Sequence, residues 1–211
     1  MLNKGHIAVK ERKNQDKEKR ENILLVAESV FAERGFKGTT VREVAQKAGI
    51  ANSLIFYYFK NKSVLYEAVF QNFFEQLEDL IQNSMNLDMD RLGILREILF
   101  GATDFFISQR NFLRILMREI IDNGRITRKI GQDYFKPVYD TLEKFLTEGE
   151  KEALFKEVDP LHFIQSLLGM NLFYFLSEPL MRAIGVRRPY GSEEMQKRKI
   201  ELWNLIRSSL T

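Results

Sequence analysis

Apolar residues recur at spacings of three and four from about residue 16 almost to the C-terminus, and the strict apolar-polar alternation of a half-buried strand is scarce. A helix with 3.6 residues per turn gathers such positions onto one stripe, whereas a strand would scatter them over both faces. The expected fold is therefore all-α. With 211 residues, 45% of them apolar, the chain is long enough to bury a substantial core as one domain or two.

Punctuation residues divide the pattern. A first helix is expected from about Asp16 to Arg34, with Ile23, Leu24, Ala27, Val30 and Phe31 on one stripe and Gly35 as its stop; residues 1–15 then form a flexible basic tail. A long helix follows from Lys62 to about Met85, with "NLDMD" as connector, then helices at roughly 90–108 and 111–122, the second closing at Asn123-Gly124. From Ile126 to about Glu148 the helical pattern runs through Pro137, which must kink or divide it, because the ring removes a backbone donor and clashes with the preceding turn. Asp159 as cap and Pro160 at the first helical position start a helix over 160–177 that is apolar nearly all round. "EPLMRAIGVRRPYG" reads as a connecting segment before a last helix from Ser192 to about Ser208.

Composition removes several chemistries. There is no cysteine, and His6 and His162 are the two histidines, so thiolate metal sites, disulfides and His-based triads have little to be built from. No cofactor is expected, and an all-α enzyme is the weakest of the readings. No stretch of the chain is apolar enough for a signal peptide or a membrane span, which points to a cytoplasmic protein. The net charge of +3 is uneven: residues 1–60 carry 12 Lys and Arg against 7 Asp and Glu, leaving 20 against 22 for the rest. A basic end on a neutral body suits a polyanion partner, and equally a solvated charged tail.

The segment "KGTTVREVAQKAGIANSLIFYYFKNK", residues 37–62, decides between them. Thr40 and Glu43 have capping-box spacing, and Val41, Val44, Ala45 and Ala48 give a two-turn helix an apolar side. Gly49 can end it in the left-handed conformation, and a second short helix then runs from about Asn52 to Phe59. Two short helices about a glycine-containing turn have the helix-turn-helix form, whose second helix enters the major groove of DNA. The aromatic run Phe56-Tyr57-Tyr58-Phe59 does not suit a single-strand stacking platform, since neighbouring residues on a helix splay about 100° apart.

Over about residues 18–70, "GTTVREVAQKAGIANSLIFYYFKNKSVLYEAV" resembles the N-terminal signature of the tetracycline-repressor (TetR) family. The resemblance implies a three-helix DNA-binding domain over residues 16–62, continuing into a linking helix at 62–85, and a ligand-binding, dimer-forming domain over 86–211. Carried over by position, it puts Thr40 at a phosphate and Arg42 at a base edge, where its fork suits guanine. Asn52, Ser53 and Leu54 open the recognition helix, Phe56, Tyr57 and Tyr58 flank the groove, and Lys62 meets phosphate at the next helix start. Ile55 and Phe59 are expected in the core. The chain departs from the family pattern at Ala51, where a capping Ser or Thr is usual, at Leu54, where Thr is usual, and at Phe56, where a phosphate-binding Tyr is usual.

For the C-terminal half the resemblance implies a homodimer through the last two helices and a pocket for a lipophilic effector. The expected lining is Phe105, Phe112, Met117, Tyr134, Tyr139, Phe163, Met170 and Phe173, with Arg118 and Glu119 able to fix a polar head if turned inward. All of these could instead be ordinary packing or surface residues. Two functions remain: a ligand-responsive regulator, expected in the form of a repressor on a pseudo-palindromic double-stranded DNA operator, or a TetR-like DNA-binding module whose C-terminal domain holds a protein partner. The helix from Lys62 to Met85 is the expected lever between the halves.

Overall fold

The structure, a computed structural model, describes the backbone of residues 4–211 and the side chains from Gln15 onward. All its regular elements are helical: α1 (Lys4–Gly38), α2 (Val41–Ala48), α3 (Asn52–Tyr58), α4 (Lys62–Met85), α5 (Arg91–Ser108), α6 (Arg110–Ile121), α7 (Thr127–Lys129), a π-helical turn (Ile130–Phe135), α8 (Lys136–Lys151), α9 (Pro160–Leu176), α10 (Glu178–Ala183) and α11 (Ser192–Leu210). The all-α expectation holds. Two boundaries differ from the sequence reading. Residues 1–3 of the expected tail lie outside the described residues, but α1 already begins at Lys4, because the Lys-, Glu- and Arg-rich stretch before Asp16 is made of good helix formers. Part of the expected connector after residue 177 winds into α10, with Pro179 in its first turn, where a missing N–H costs nothing.

Local chemistry sets the ends. Gly35, at φ 69°, breaks the helical path inside α1. Asp90 caps α5 by accepting from the Gly93 amide at 2.7 Å, and Asp159 caps α9 by accepting from the His162 amide at 2.9 Å. Pro137 divides its segment as its ring requires: the chain passes through α7 and the π-helical turn, and α8 restarts with Pro137 as its second residue.

The chain divides into two compact units, residues 1–72 with 115–124, and residues 73–114 with 125–211. The division falls inside α4 and α6, so both helices belong partly to each unit.

The first unit is built on the α1 stripe. Ile23, Ala27, Val30 and Phe31 are fully buried, as are Val44, Ile55 and Leu65. Phe31 meets the edge of the Tyr66 ring at 4.8 Å, and Phe36 lies 4.9 Å from the same ring. Two contacts fasten the second half of α6: the Tyr66 hydroxyl donates to the buried Glu119 carboxylate at 3.0 Å, and Arg118 donates to the Ala32 carbonyl at 3.0 Å. Burial and the neighbouring carboxylate push the Tyr66 hydroxyl pKa upward, so it stays a donor. Gly124 closes this turn so tightly that a Cβ there would collide with the Glu119 carboxylate.

In the second unit, Phe73 stacks on Phe112 at 3.9 Å between ring centroids. A further core gathers Leu95, Leu99, Phe145, Leu146, Phe155, Ile164, Leu202, Ile206 and Leu210 from α5, α8, α9, α11 and the segment between α8 and α9. Lys199 of α11, itself buried, pairs with Asp104 of α5 at 2.5 Å.

Candidate functional site

The turn between α2 and α3 is assembled by short-range bonds. Thr40 accepts from the Glu43 amide at 3.2 Å, while the Glu43 carboxylate pairs with Arg34 Nε at 2.9 Å. Gly49, at φ 67° and ψ 29°, ends α2 in the left-handed conformation, and the Ile50 amide returns to the Ala45 carbonyl at 3.0 Å. Ala51 supplies no side-chain cap to α3, and Asn52 does not replace it. The helix is held by burial instead, with Ile55 at 0% and Phe59 at 1% exposure, as their spacing predicts.

The rest of α3 faces outward. Asn52 and Ser53 are exposed, Leu54 is half-buried, and Phe56 and Tyr57 are 50% and 74% exposed. Two large aromatic side chains left in solvent are a feature that the core does not explain, and Thr40 and Arg42 are exposed as well. Seven of the nine residues expected at DNA are thus available there. The remaining two are committed within the protein. The Tyr58 hydroxyl donates to the Asp16 carboxylate at 2.9 Å, with its ring against Tyr57 at 5.0 Å, which ties the recognition helix to α1. Its pKa is raised by burial and by Asp16.

Lys62 departs furthest from the sequence expectation. Its ammonium donates to the Phe36 carbonyl at 2.9 Å and the Thr39 carbonyl at 3.0 Å, 4.4 Å from the Phe36 ring. These carbonyls lie just beyond the break at Gly35, where a cation is favoured at a helix C-terminus. Lys62 therefore brackets α1 to α4 rather than presenting its charge outward. Asn61, not anticipated, caps α4 by accepting from the Val64 amide at 3.0 Å. Lys60, also passed over, is exposed directly after α3. Its signal in the sequence was its position, the first cation past the recognition helix.

The ten expected effector contacts are dispersed. In the second unit Phe112 is fully buried against Phe73, Phe105 lies 4.9 Å from that same ring, and Tyr134 stacks on Phe74 at 5.8 Å. Tyr139, Phe163 and Met170 pack around the core of α5, α8, α9 and α11, and Phe173 is 67% exposed. Met117, Arg118 and Glu119 fall in the part of α6 that belongs to the first unit, where Glu119 is held by Tyr66.

None of them lines the cavity of about 70 Å³ that opens within the second unit. Its walls are Leu77 and Ile81 of α4, Leu95, Ile98, Leu99, Ala102 and Phe106 of α5, Val138 and Leu142 of α8, Ile164, Leu167, Leu168 and Asn171 of α9, and Ile206 of α11. Asn171 is the polar member, and its amide is engaged with the Thr103 hydroxyl at 3.1 Å and the Leu167 carbonyl at 3.2 Å. The lining carries no charge, so the space suits a hydrocarbon group and rejects a bare ion.

Comparison with known proteins agrees with this geometry. Residues 23–69 match the model of bacterial regulatory proteins of the tetR family, and residues 94–204 match that of the tetracyclin repressor-like C-terminal domain. The Bacillus subtilis protein named "Probable HTH-type transcriptional regulator YttP" is 23% identical over 188 residues, 87% of this chain and 91% of its own. Among solved structures, a Clostridium perfringens protein described as a fatty acid metabolism regulator superposes with a TM-score of 0.76 at 23% identity, covering 90% of this chain and 98% of that one. The fatty acid degradation regulator FadR from Bacillus halodurans gives 0.71 at 19% identity, covering 89% and 94%. These relatives are regulators rather than enzymes. With the second match alone spanning more than half of the residues, the chain belongs to the TetR family of DNA-binding transcriptional regulators.

Proposed function

We propose that this regulator is a cytoplasmic homodimeric repressor, released from a pseudo-palindromic operator when a small lipophilic effector enters the second unit. The observation that carries this reading is the uncharged cavity walled by five helices. A DNA-binding module that held a protein partner through its C-terminal half would have no use for such a space. The two structural neighbours are described as regulators of fatty acid metabolism or degradation, which is in keeping with an alkyl group in this cavity. At their low identity the likeness carries only the fold.

On the DNA side, Arg42 and Asn52 are the base readers, Thr40, Ser53 and Tyr57 position the helix, and Leu54 and Phe56 make apolar contacts such as a thymine methyl accepts. Lys60 supplies the phosphate charge in place of Lys62. The dimer forms through α9 and α11, which leave Leu161, Phe173, Ile200 and Leu205 exposed and so in need of a partner surface. Two-fold symmetry then sets paired recognition helices on two half-sites.

Release works by differential affinity. An effector that fits better when the second unit shifts draws the population toward that state, and weakens DNA binding by the same factor by which DNA weakens its own binding. The shift passes along α4 and α6, the helices that both units share, and the Arg118–Ala32 and Tyr66–Glu119 bonds fasten the α6 end within the first unit. Native mass spectrometry of the purified protein tests the sensor reading: an apolar small molecule is expected at one per chain, removable by extraction and restored by titration. If neither co-purified nor added lipophilic compounds bind saturably, the sensor reading fails and the partner-binding module takes its place.

A further inference from the structure

A second pocket in the same unit has the opposite chemistry. It holds about 250 Å³ beside the turn from α5 to α6 and is lined by Ser108, Arg110, Asn111, Arg114 and Glu178. It shares no lining residue with the apolar cavity.

Its charges do not cancel. The Glu178 carboxylate is taken by Arg182, whose Nη2 and Nε donate to it at 2.8 Å and 3.0 Å, and Arg110 reaches it only at 3.9 Å. Among the described residues no carboxylate lies within ion-pair distance of Arg114. One carboxylate, paired with Arg182 and distantly with Arg110, thus stands among three guanidinium groups, leaving two positive charges in excess. Arg110 and Arg114 stand one turn apart on α6, where like charges repel unless something negative lies between them.

The site is also held in place. The Arg110 guanidinium lies 5.0 Å over the Tyr190 ring, and the Tyr190 hydroxyl is anchored by donating to the Phe175 carbonyl at 2.7 Å. Burial, then Glu178, pushes the Tyr190 pKa up to about 12, so the shelf under Arg110 stays neutral. The Ser108 hydroxyl is spent on the Phe105 carbonyl at 2.7 Å, which leaves Asn111 as the neutral donor beside the two arginines.

We propose that this pocket binds a phosphate group, free or as the head of a small phosphomonoester. Two planar forks match two edges of a phosphate bidentately, and the excess of two charges suits a dianion better than a single carboxylate. The pocket is roomier than a bare phosphate needs. Bound there, the anion bridges the first turns of α6, and α6 continues into the first unit at Ile115, so occupancy acts on a helix that the DNA-binding half also uses. This assignment is independent of the effector reading of the apolar cavity.

Isothermal titration of the full chain with inorganic phosphate, and separately with ribose 5-phosphate, tests it against potassium chloride at matched ionic strength. Saturable binding of one anion per chain is expected, weakened at least about tenfold by Arg114→Ala and further by Arg110→Ala/Arg114→Ala, the scale of losing charge-assisted hydrogen bonds. Tighter ribose 5-phosphate binding assigns a monoester, and tighter phosphate binding assigns the free ion. Both arginines are exposed, so the variants should keep the wild-type circular dichroism spectrum. Phosphorus NMR line broadening on the wild-type chain provides a readout that needs no variant. Absence of saturable binding by either probe, or unchanged affinity in the double variant, overturns the proposal.

Discussion

The DNA-binding unit and the C-terminal unit are built from the same kind of helix, yet they form their candidate sites by different means. In the first, short-range signals do the placing: a threonine cap, a left-handed glycine and two buried anchors turn Asn52, Ser53, Phe56 and Tyr57 of α3 outward. In the second, a cavity remains where side chains from five helices fail to meet, and the small Ala102 is the one local signal of it. A functional surface that projects from one motif can be read along the chain, whereas a functional absence is a property of packing between distant segments.

The largest effect is expected where the two units' logic is most easily confused. Phe112→Ala removes a ring from a packed stack, not from the cavity wall, so it should cost roughly 3–5 kcal/mol of stability in chemical denaturation. If it instead left stability intact and only weakened an effector, the distinction between core aromatics and cavity aliphatics would be lost. Lys62→Met keeps the stem over Phe36 and loses two charge-assisted bonds, for a stability loss of about 1–3 kcal/mol. Its salt dependence of DNA binding should match wild type. A slope reduced by about one with stability unchanged would return Lys62 to the phosphate.

Arg42→Ala should cost about 1–3 kcal/mol of discrimination at one base position while barely moving stability, and Lys60→Ala should weaken all duplexes alike and lower the salt slope by about one. Selection from a random duplex pool, followed by salt titration of the selected sequence, checks both. The smallest effect concerns Tyr190. Its hydroxyl ionises near 10 when unfolded and at about 12 when folded, so between those values the folded state binds more protons and stability must fall as pH rises. Tyr190→Phe should remove that part of the alkaline decline in a melting-temperature profile.

The particular residues show why legibility differs. Ile55 and Phe59 were readable as anchors because helical spacing opposes them to Phe56 and Tyr57. The bonds of Lys62 are not legible in the sequence because its partners, the carbonyls of Phe36 and Thr39, are backbone atoms freed by a break more than 20 residues upstream, and side-chain sequence carries no trace of them. The expected effector residues were large aromatics, and those fill space: Phe105, Phe112 and Tyr134 pack ring against ring. The cavity lies instead among leucines and isoleucines around Ala102, whose small side chain is the one local hint. The π-helical turn before Pro137 could be anticipated only as a division, since how the chain absorbs a missing donor depends on its surroundings.

The central claim, that the uncharged cavity governs the DNA-reading surface, is tested most directly by fluorescence anisotropy of a labelled operator duplex with wild type and Ala102→Leu, titrated with an alkyl-chain ligand series. The account predicts that without ligand both bind the duplex alike, that an optimal ligand weakens wild-type binding about 5- to 150-fold, and that the cavity-filled variant responds little. A ligand that weakens both proteins equally, or a series that leaves wild-type binding unchanged throughout, would contradict it.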